Sequence, residues 1–276
     1  MESSAAAAPA TQTCYRHPGR ATAVSCSSCG RPICPECMTP TPVGMRCPEC
    51  SRQRTQVRTL QSTSTEPRVT VGLIILCAVT FLATSGLSGG SGSLWNELFL
   101  DGPDVHLGHD YWRLVTAGFL HAGPLHILFN MYLLWILGQM LEPALGSARF
   151  ALLYFTALLW GSFGALVVEP TTATVGASGA VFGLMGAAAV EMRARGINPL
   201  QTGIGALIIL NLGLSFVLSN ISVGGHIGGL VGGALVGAVY VVAERRGQPA
   251  LAWAGGLALA AAAVAGALVA AGGTGL

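Results

Sequence analysis

Lysine is absent from this 276-residue chain, and charged side chains of any kind make up only 9% of it. Soluble domains carry roughly 25% charged residues; with a mean hydropathy of +0.61, this composition is that of a membrane protein. A formal net charge of +2 is too small for a nucleic-acid binder. The missing lysine, together with 38 glycines and abundant alanine, points to a GC-rich bacterial genome and is silent on mechanism. Residues 1–13 lack a hydrophobic run, which excludes a signal peptide or a span there and predicts a disordered tail.

What is present divides near Arg68. Before it the chain is polar and rich in cysteine, and after Val69 it is almost wholly apolar. Residues 51–68, rich in Arg, Gln, Ser and Thr, read as a solvated linker. A helix needs about 20 apolar residues to cross a bilayer. Seven stretches qualify as candidates: 69–84, 124–141, 150–168, 178–190, 200–218, 225–243 and 250–270. The fold class is therefore an all-α polytopic membrane protein behind a small cysteine-rich domain. Arginines near helix ends stay on the cytoplasmic side. An inside amino terminus places Arg52, Arg54, Arg58, Arg68, Arg149, Arg193, Arg195, Arg245 and Arg246 together in the cytoplasm, leaves Arg113 outside, and puts the carboxyl terminus outside. The expected location is a bacterial cell membrane.

Residues 86–123 then form an outside loop whose Trp95 and Trp112 suit the membrane interface. Its Asp104, His106, His109 and Asp110 are ordinary for such a loop and need no metal.

Polar groups inside a membrane are costly and so become functional candidates. Ser178 stands in the run Val175-Gly-Ala-Ser178-Gly179, where a loop meets a helix; exposed N–H groups and the positive helix end there favour an oxyanion. By itself such a tetrapeptide is common packing material in membranes. His226 opens a helix in which Gly225, Gly229, Gly233 and Gly237 recur every four residues, a small-residue stripe that lets another backbone approach. Gly179, Gly183 and Ala187 form a matching stripe after Ser178. Packing the two would bring serine and imidazole together. His126 and Asn130, four apart, share a helix face from which both can donate hydrogen bonds.

Depths at about 1.5 Å per residue place Ser178 roughly 20 Å, Asn130 roughly 18 Å and His126 roughly 24 Å above the inner-edge residues Glu191 and Glu142. From Glu244 the same count puts His226 at roughly 27 Å, about one turn too high. No Asp or Glu lies in that layer, which argues against a transporter and against a third, carboxylate member of a catalytic set.

Trp112-Arg113, His121, His126-x-x-x-Asn130, Glu142, Gly176-Ala-Ser178-Gly179 and His226-Ile-Gly-Gly together resemble the rhomboid family of intramembrane serine proteases, over most of the chain after Val69. The resemblance implies a six-helix core over residues 69–272 with an added seventh helix, and a Ser178–His226 dyad without a carboxylate. It also implies an oxyanion hole from the Ser178 N–H, His126 and Asn130, no catalytic cofactor, and transmembrane proteins as substrates. Trp112 and Arg113 would belong to the outside loop and Glu142 to its supporting network. Phe182 takes a place where some relatives pack tyrosine under the histidine. The alternative is a pseudoprotease that binds membrane proteins without cutting them; against it, all four polar groups are kept.

The pairs Cys14/His17, Cys26/Cys29, Cys34/Cys37 and Cys47/Cys50 supply ligands for two tetrahedral zinc ions. Spacing alone leaves open which pairs share an ion. The segment 14–50 resembles a B-box-type zinc domain, which implies first with third and second with fourth. A protein partner or anionic lipid is its expected contact, with nucleic acid disfavoured. Cys77, inside the first span, reads as a packing thiol.

Overall fold

The computed structural model describes residues 12–42, 44–52, 66–84, 89–217 and 221–273. Most of the expected tail and linker lies outside the described residues. The chain separates into two units, residues 1–63 and 64–276.

The first unit is held by cysteine rather than by a hydrophobic core. Strands β1 (Gln12–Thr13) and β2 (Ala21–Thr22) pair antiparallel, as do β3 (Thr39–Thr41) and β4 (Gly44–Arg46), and a five-residue helix α1 (Pro48–Arg52) follows. Its buried cluster consists of six cysteines and Ile33, too little apolar surface for so short a chain to fold on alone.

The second unit is built mainly of helices, with one isolated antiparallel bridge between Leu100 and Thr174 among the described residues. Seven long helices occupy the seven expected stretches: α2 (Arg68–Ala83), α6 (Pro124–Leu145), α7 (Ser147–Val168), α8 (Ser178–Ala194), α9 (Gly203–Val217), α10 (Val223–Arg245) and α11 (Pro249–Gly272). Four of them, α6, α7, α10 and α11, are long and apolar enough to cross a membrane, while α2 and α9 are shorter apolar helices. Between α2 and α6 lie three short helices, α3 (Ser93–Leu98), α4 (Gly102–His106) and α5 (Arg113–Thr116). Large apolar side chains point outward all along α6, among them Leu125, Leu128, Phe129 and Tyr132, each at least 60% exposed; a helix surface so apolar is matched to lipid rather than water. The opposite face of α6, carrying Asn130, Leu134, Gly138 and Leu141, is buried.

Helix α10 is the centre of the bundle and packs most extensively on α8 and α7. The sequence shows one glycine stripe, but the structure uses two. A Cβ on Gly229, Gly233 or Gly237 would meet the backbone of Gly179, Gly183 or Ala187 on α8. A Cβ on Gly224 or Gly228 would meet the backbone of Trp160 or Gly164 on α7, and one on Gly232 the Trp160 side chain. Glycine doublets are therefore needed because α10 runs against two helices at backbone distance. Helix α11 packs on α7 and α10, with its far end against α4.

Candidate functional site

The outer loop is organised by a buried arginine. Arg113, 5% exposed, pairs with Asp104 at 2.8 Å and Asp110 at 3.0 Å and donates to the carbonyls of Asn96 and Phe99. A buried guanidinium requires such pairing, so both aspartates are accounted for without a metal. His109 faces the Tyr111 hydroxyl at 3.0 Å, and Trp112 donates to the Glu97 carbonyl at 3.1 Å. This loop in turn pins the segment leading to the serine. Leu100 and Thr174 exchange backbone hydrogen bonds of 3.1 and 2.8 Å, the Gly102 N–H reaches the Pro170 carbonyl, and the Gly176 N–H donates to the Ala117 carbonyl at 2.9 Å.

Gly176 has φ +126°, a value that favours glycine. The chain thereby turns sharply into α8, whose first residue is Ser178. That helix end has no side-chain cap, so its first N–H groups stay free for a ligand. A Cβ added to Gly176 would stand 2.8 Å from Nε2 of His126 and 3.6 Å from Ser178 Oγ; imidazole and hydroxyl therefore approach one point. His126 Nδ1 accepts the Ala122 N–H at 3.3 Å, which leaves the proton of a neutral ring on Nε2, the nitrogen facing Gly176. Asn130 is buried and gives one amide hydrogen to the His126 carbonyl at 2.9 Å, with the second still able to donate.

His226 lies on the neighbouring helix, one residue past Gly225, whose carbonyl approaches Gly179 and Gly161 in a three-helix contact. The imidazole is 7% exposed and stacks on Phe182, ring centroids 4.2 Å apart at 23°. Its Nδ1 is 2.6 Å from Ser215 Oγ on α9. Among the described residues no hydrogen bond joins Ser178 to His226; such contacts are often loose before substrate arrives. The apparent one-turn mismatch in depth has a plain cause. Gly179–Gly229, Gly183–Gly233 and Ala187–Gly237 are each fifty residues apart, so Glu191 is level with Val241, and Glu244 lies almost a turn deeper.

Glu142 requires a correction. It is fully buried at the other end of the bundle, far from the outer loop's network. Its carboxylate accepts the N–H groups of Val69 and Thr70 at 2.9 Å, the Thr70 hydroxyl at 2.7 Å and the Ser147 hydroxyl at 2.6 Å. Those are the orphan donors at the start of α2, and an anion suits that helix end. His121 is also wholly buried and meets the His126 ring edge-on at 5.1 Å.

Two residues matter here that sequence reasoning passed over. Ser215 holds His226, and its signal was a polar pair, Asn211 and Ser215, spaced four apart in an otherwise apolar stretch. Ser222, whose side chain accepts the Gly225 N–H at 3.0 Å, caps the helix that carries the histidine.

In the first unit, Cys14, His17, Cys34 and Cys37 converge, as do Cys26, Cys29, Cys47 and Cys50, each set with its ligand atoms within 4.8 Å of one another. First and third pairs thus meet, and second and fourth. His17 Nδ1 lies 3.3 Å from Cys34 and 3.4 Å from Cys37, and Cys29 and Cys47 are 3.8 Å apart. Bond lengths of about 2.3 Å to sulfur and 2.0 Å to nitrogen make tetrahedron edges of about 3.5 to 3.8 Å, so both sets fit zinc. All eight cysteines of the chain are free thiols. Burial opposes ionisation of Cys14, but the N–H groups of Cys34, Arg16 and His17 outweigh it and bring its pKa down to about 6. Cys26 is likewise lowered to about 6, chiefly by the Cys47 N–H. Cys37 is instead raised to about 11 by burial, and Cys50 to about 12, chiefly by its contact with Cys47, so the thiolate form that binds metal is favoured at Cys14 and Cys26 but not at these two.

Helices this long and apolar, packed into one bundle, define a polytopic membrane protein. Residues 108–243 match the family model described as Rhomboid domain, so the helical unit contains a rhomboid domain. It is 42% identical over 121 residues to Rhomboid protease GluP of Bacillus subtilis, covering 43% of this chain and 24% of that protein. To RHOMBOID-like protein 4 of Arabidopsis thaliana it is 35% identical over 153 residues, 54% of this chain and 39% of that protein. To Rhomboid-like protease 1 of Toxoplasma gondii it is 32% identical over 153 residues, 49% of this chain and 52% of that protein. The chain thus spans between about a quarter and half the length of these relatives.

Proposed function

We propose that this protein is a serine endopeptidase that cuts the spans of other membrane proteins, with Ser178 as nucleophile and His226 as general base. The observation that supports the reading is the close contact of Gly161, Gly179 and Gly225, the last two being the sequence neighbours of Ser178 and His226, together with the approach of His126 Nε2 and Ser178 Oγ to one point at Gly176. His226 Nε2 takes the Ser178 proton as Oγ attacks the scissile carbonyl and returns it to the leaving amine; water then releases the acyl group by the reverse proton path. The Ser178 N–H, His126 Nε2–H and the free amide hydrogen of Asn130 serve the oxyanion.

The amino-terminal side is assigned to the cytoplasm from the arginines. Helix α8 has 17 residues, about 26 Å at 1.5 Å per residue, so with its Arg193 end at the inner edge Ser178 lies below the outer surface of a core about 30 Å thick. Cleavage should therefore fall in the outer part of a substrate's span, preferring small, helix-weakening residues, because a peptide bond must leave its helix before Ser178 can reach it. In proteoliposomes, a reporter with a movable Ala-Gly pair should be cut at that pair only in its outer half, and not at all by Ser178→Ala. Sequencing the fragment decides this, and a cut near the cytoplasmic end would sink the topology.

Residues 14–50 are proposed to hold two structural zinc ions, with 69–272 as the protease unit. Elemental analysis of the purified protein should give about two zinc ions per chain, a deletion of residues 1–50 should give none, and the truncated protein should still cut the reporter in detergent. A folded but inactive truncation would show that the zinc unit takes part in catalysis.

A further inference from the structure

Resting on the dyad reading above, we infer that Ser215 is the positioning residue of His226, standing where a carboxylate would stand in a three-membered catalytic set. Ser215 is 2% exposed, and its Oγ lies 2.8 Å from the Asn211 carbonyl one turn back on α9 and 2.6 Å from His226 Nδ1. A hydroxyl has one proton, and a carbonyl oxygen can only accept. Both contacts are satisfied together in one way: the hydroxyl proton goes to the Asn211 carbonyl, and His226 Nδ1–H donates to Ser215 Oγ. A neutral ring then carries its lone pair on Nε2, the form a general base needs toward Ser178. The Asn211 side chain is engaged elsewhere, donating to the Leu207 carbonyl at 2.9 Å.

Among the described residues no other group is hydrogen-bonded to His226 Nδ1. Phe182 covers one face, and Ser222 caps the first turn of α10, the turn that carries the histidine. When the ring becomes an imidazolium during attack, its hydrogen bond to Ser215 becomes charge-assisted and strengthens. A neutral hydroxyl does this less well than a carboxylate, but a carboxylate in this apolar layer would carry a large burial cost of its own.

The test uses the full-length protein in detergent, with Ser215→Ala, Ser215→Thr and Ser178→Ala side by side. Ser215→Ala should lower kcat on the reporter and the rate of fluorophosphonate labelling by about tenfold with KM unchanged. Ser215→Thr, which keeps a hydroxyl able to bond one turn back, should restore both. Nitrogen-15 spectra of histidine-labelled protein, assigned with His226→Gln, should show the neutral His226 ring protonated on Nδ1 in the wild type and shifted toward Nε2 protonation in Ser215→Ala. An Nε2-protonated wild-type ring would overturn the proposal even if Ser215→Ala failed to fold. Wild-type kcat in Ser215→Ala, or a loss that threonine does not repair, would overturn it as well. Activity persisting in Ser178→Ala would instead sink the dyad itself, a separate outcome because the tautomer is read in the absence of substrate.

Discussion

Treatment with a fluorophosphonate should modify Ser178 alone, and replacing either member of the pair should lower the labelling rate by roughly 1,000-fold or more. A serine hydroxyl is a weak nucleophile until a base removes its proton, so Ser178→Ala removes the attacking atom and His226→Ala removes the base. The two losses should not add, because each already disables the same step. His126→Ala should act differently, leaving Ser178 and its base intact while removing a donor to the oxyanion; a loss of about 100-fold in kcat is expected. Mass spectrometry of the labelled peptide identifies the serine. Labelling at another serine, or full reactivity in His226→Ala, would defeat the assignment.

Gly233→Ala should lower the midpoint of thermal unfolding in detergent by on the order of 10 °C, corresponding to about 3 kcal/mol. The added methyl would fall on the Gly183 carbonyl, carbon and Cα of α8. Those atoms are backbone and cannot rotate away, so α8 and α10 must separate. Ser178 and His226 ride on those two helices, so separation should also abolish activity. Gly213→Ala is the control, since a methyl there meets nothing within 4 Å; it should be neutral or slightly stabilising because alanine favours a helix. Equal effects at both sites would mean that the close approach of α8 and α10 does not limit stability.

The zinc unit and the bundle were legible to different extents for a common reason. Cys-x-x-Cys spacing is a local property, so the eight ligands of the two sets could be read directly, whereas which pairs share a set depends on how the chain crosses over itself. Only the fold brings Cys34 and Cys37 to Cys14 and His17. In the bundle, helix positions follow from runs of apolar residues, and the stripe from Gly225 to Gly237 announced one backbone contact. The second stripe of Gly224, Gly228 and Gly232 against α7 was not separable from it, because adjacent glycines carry no label for the neighbour they face.

The sequence by itself determined the seven helical stretches, the polar residues among them and the ligand pairs ahead of them, because each depends on residues a few positions apart. The tertiary structure decided what those residues touch. Glu142 caps the start of α2 rather than bracing the outer loop, since a buried carboxylate goes where free N–H groups await it and that place is set by packing. Arg113 gathers a loop that in turn fixes the Gly176 turn before Ser178. Ser215 meets His226 only because α9 folds back beside α10, and no spacing between a hydroxyl and an imidazole on different helices can encode a hydrogen bond that depends on the approach of both.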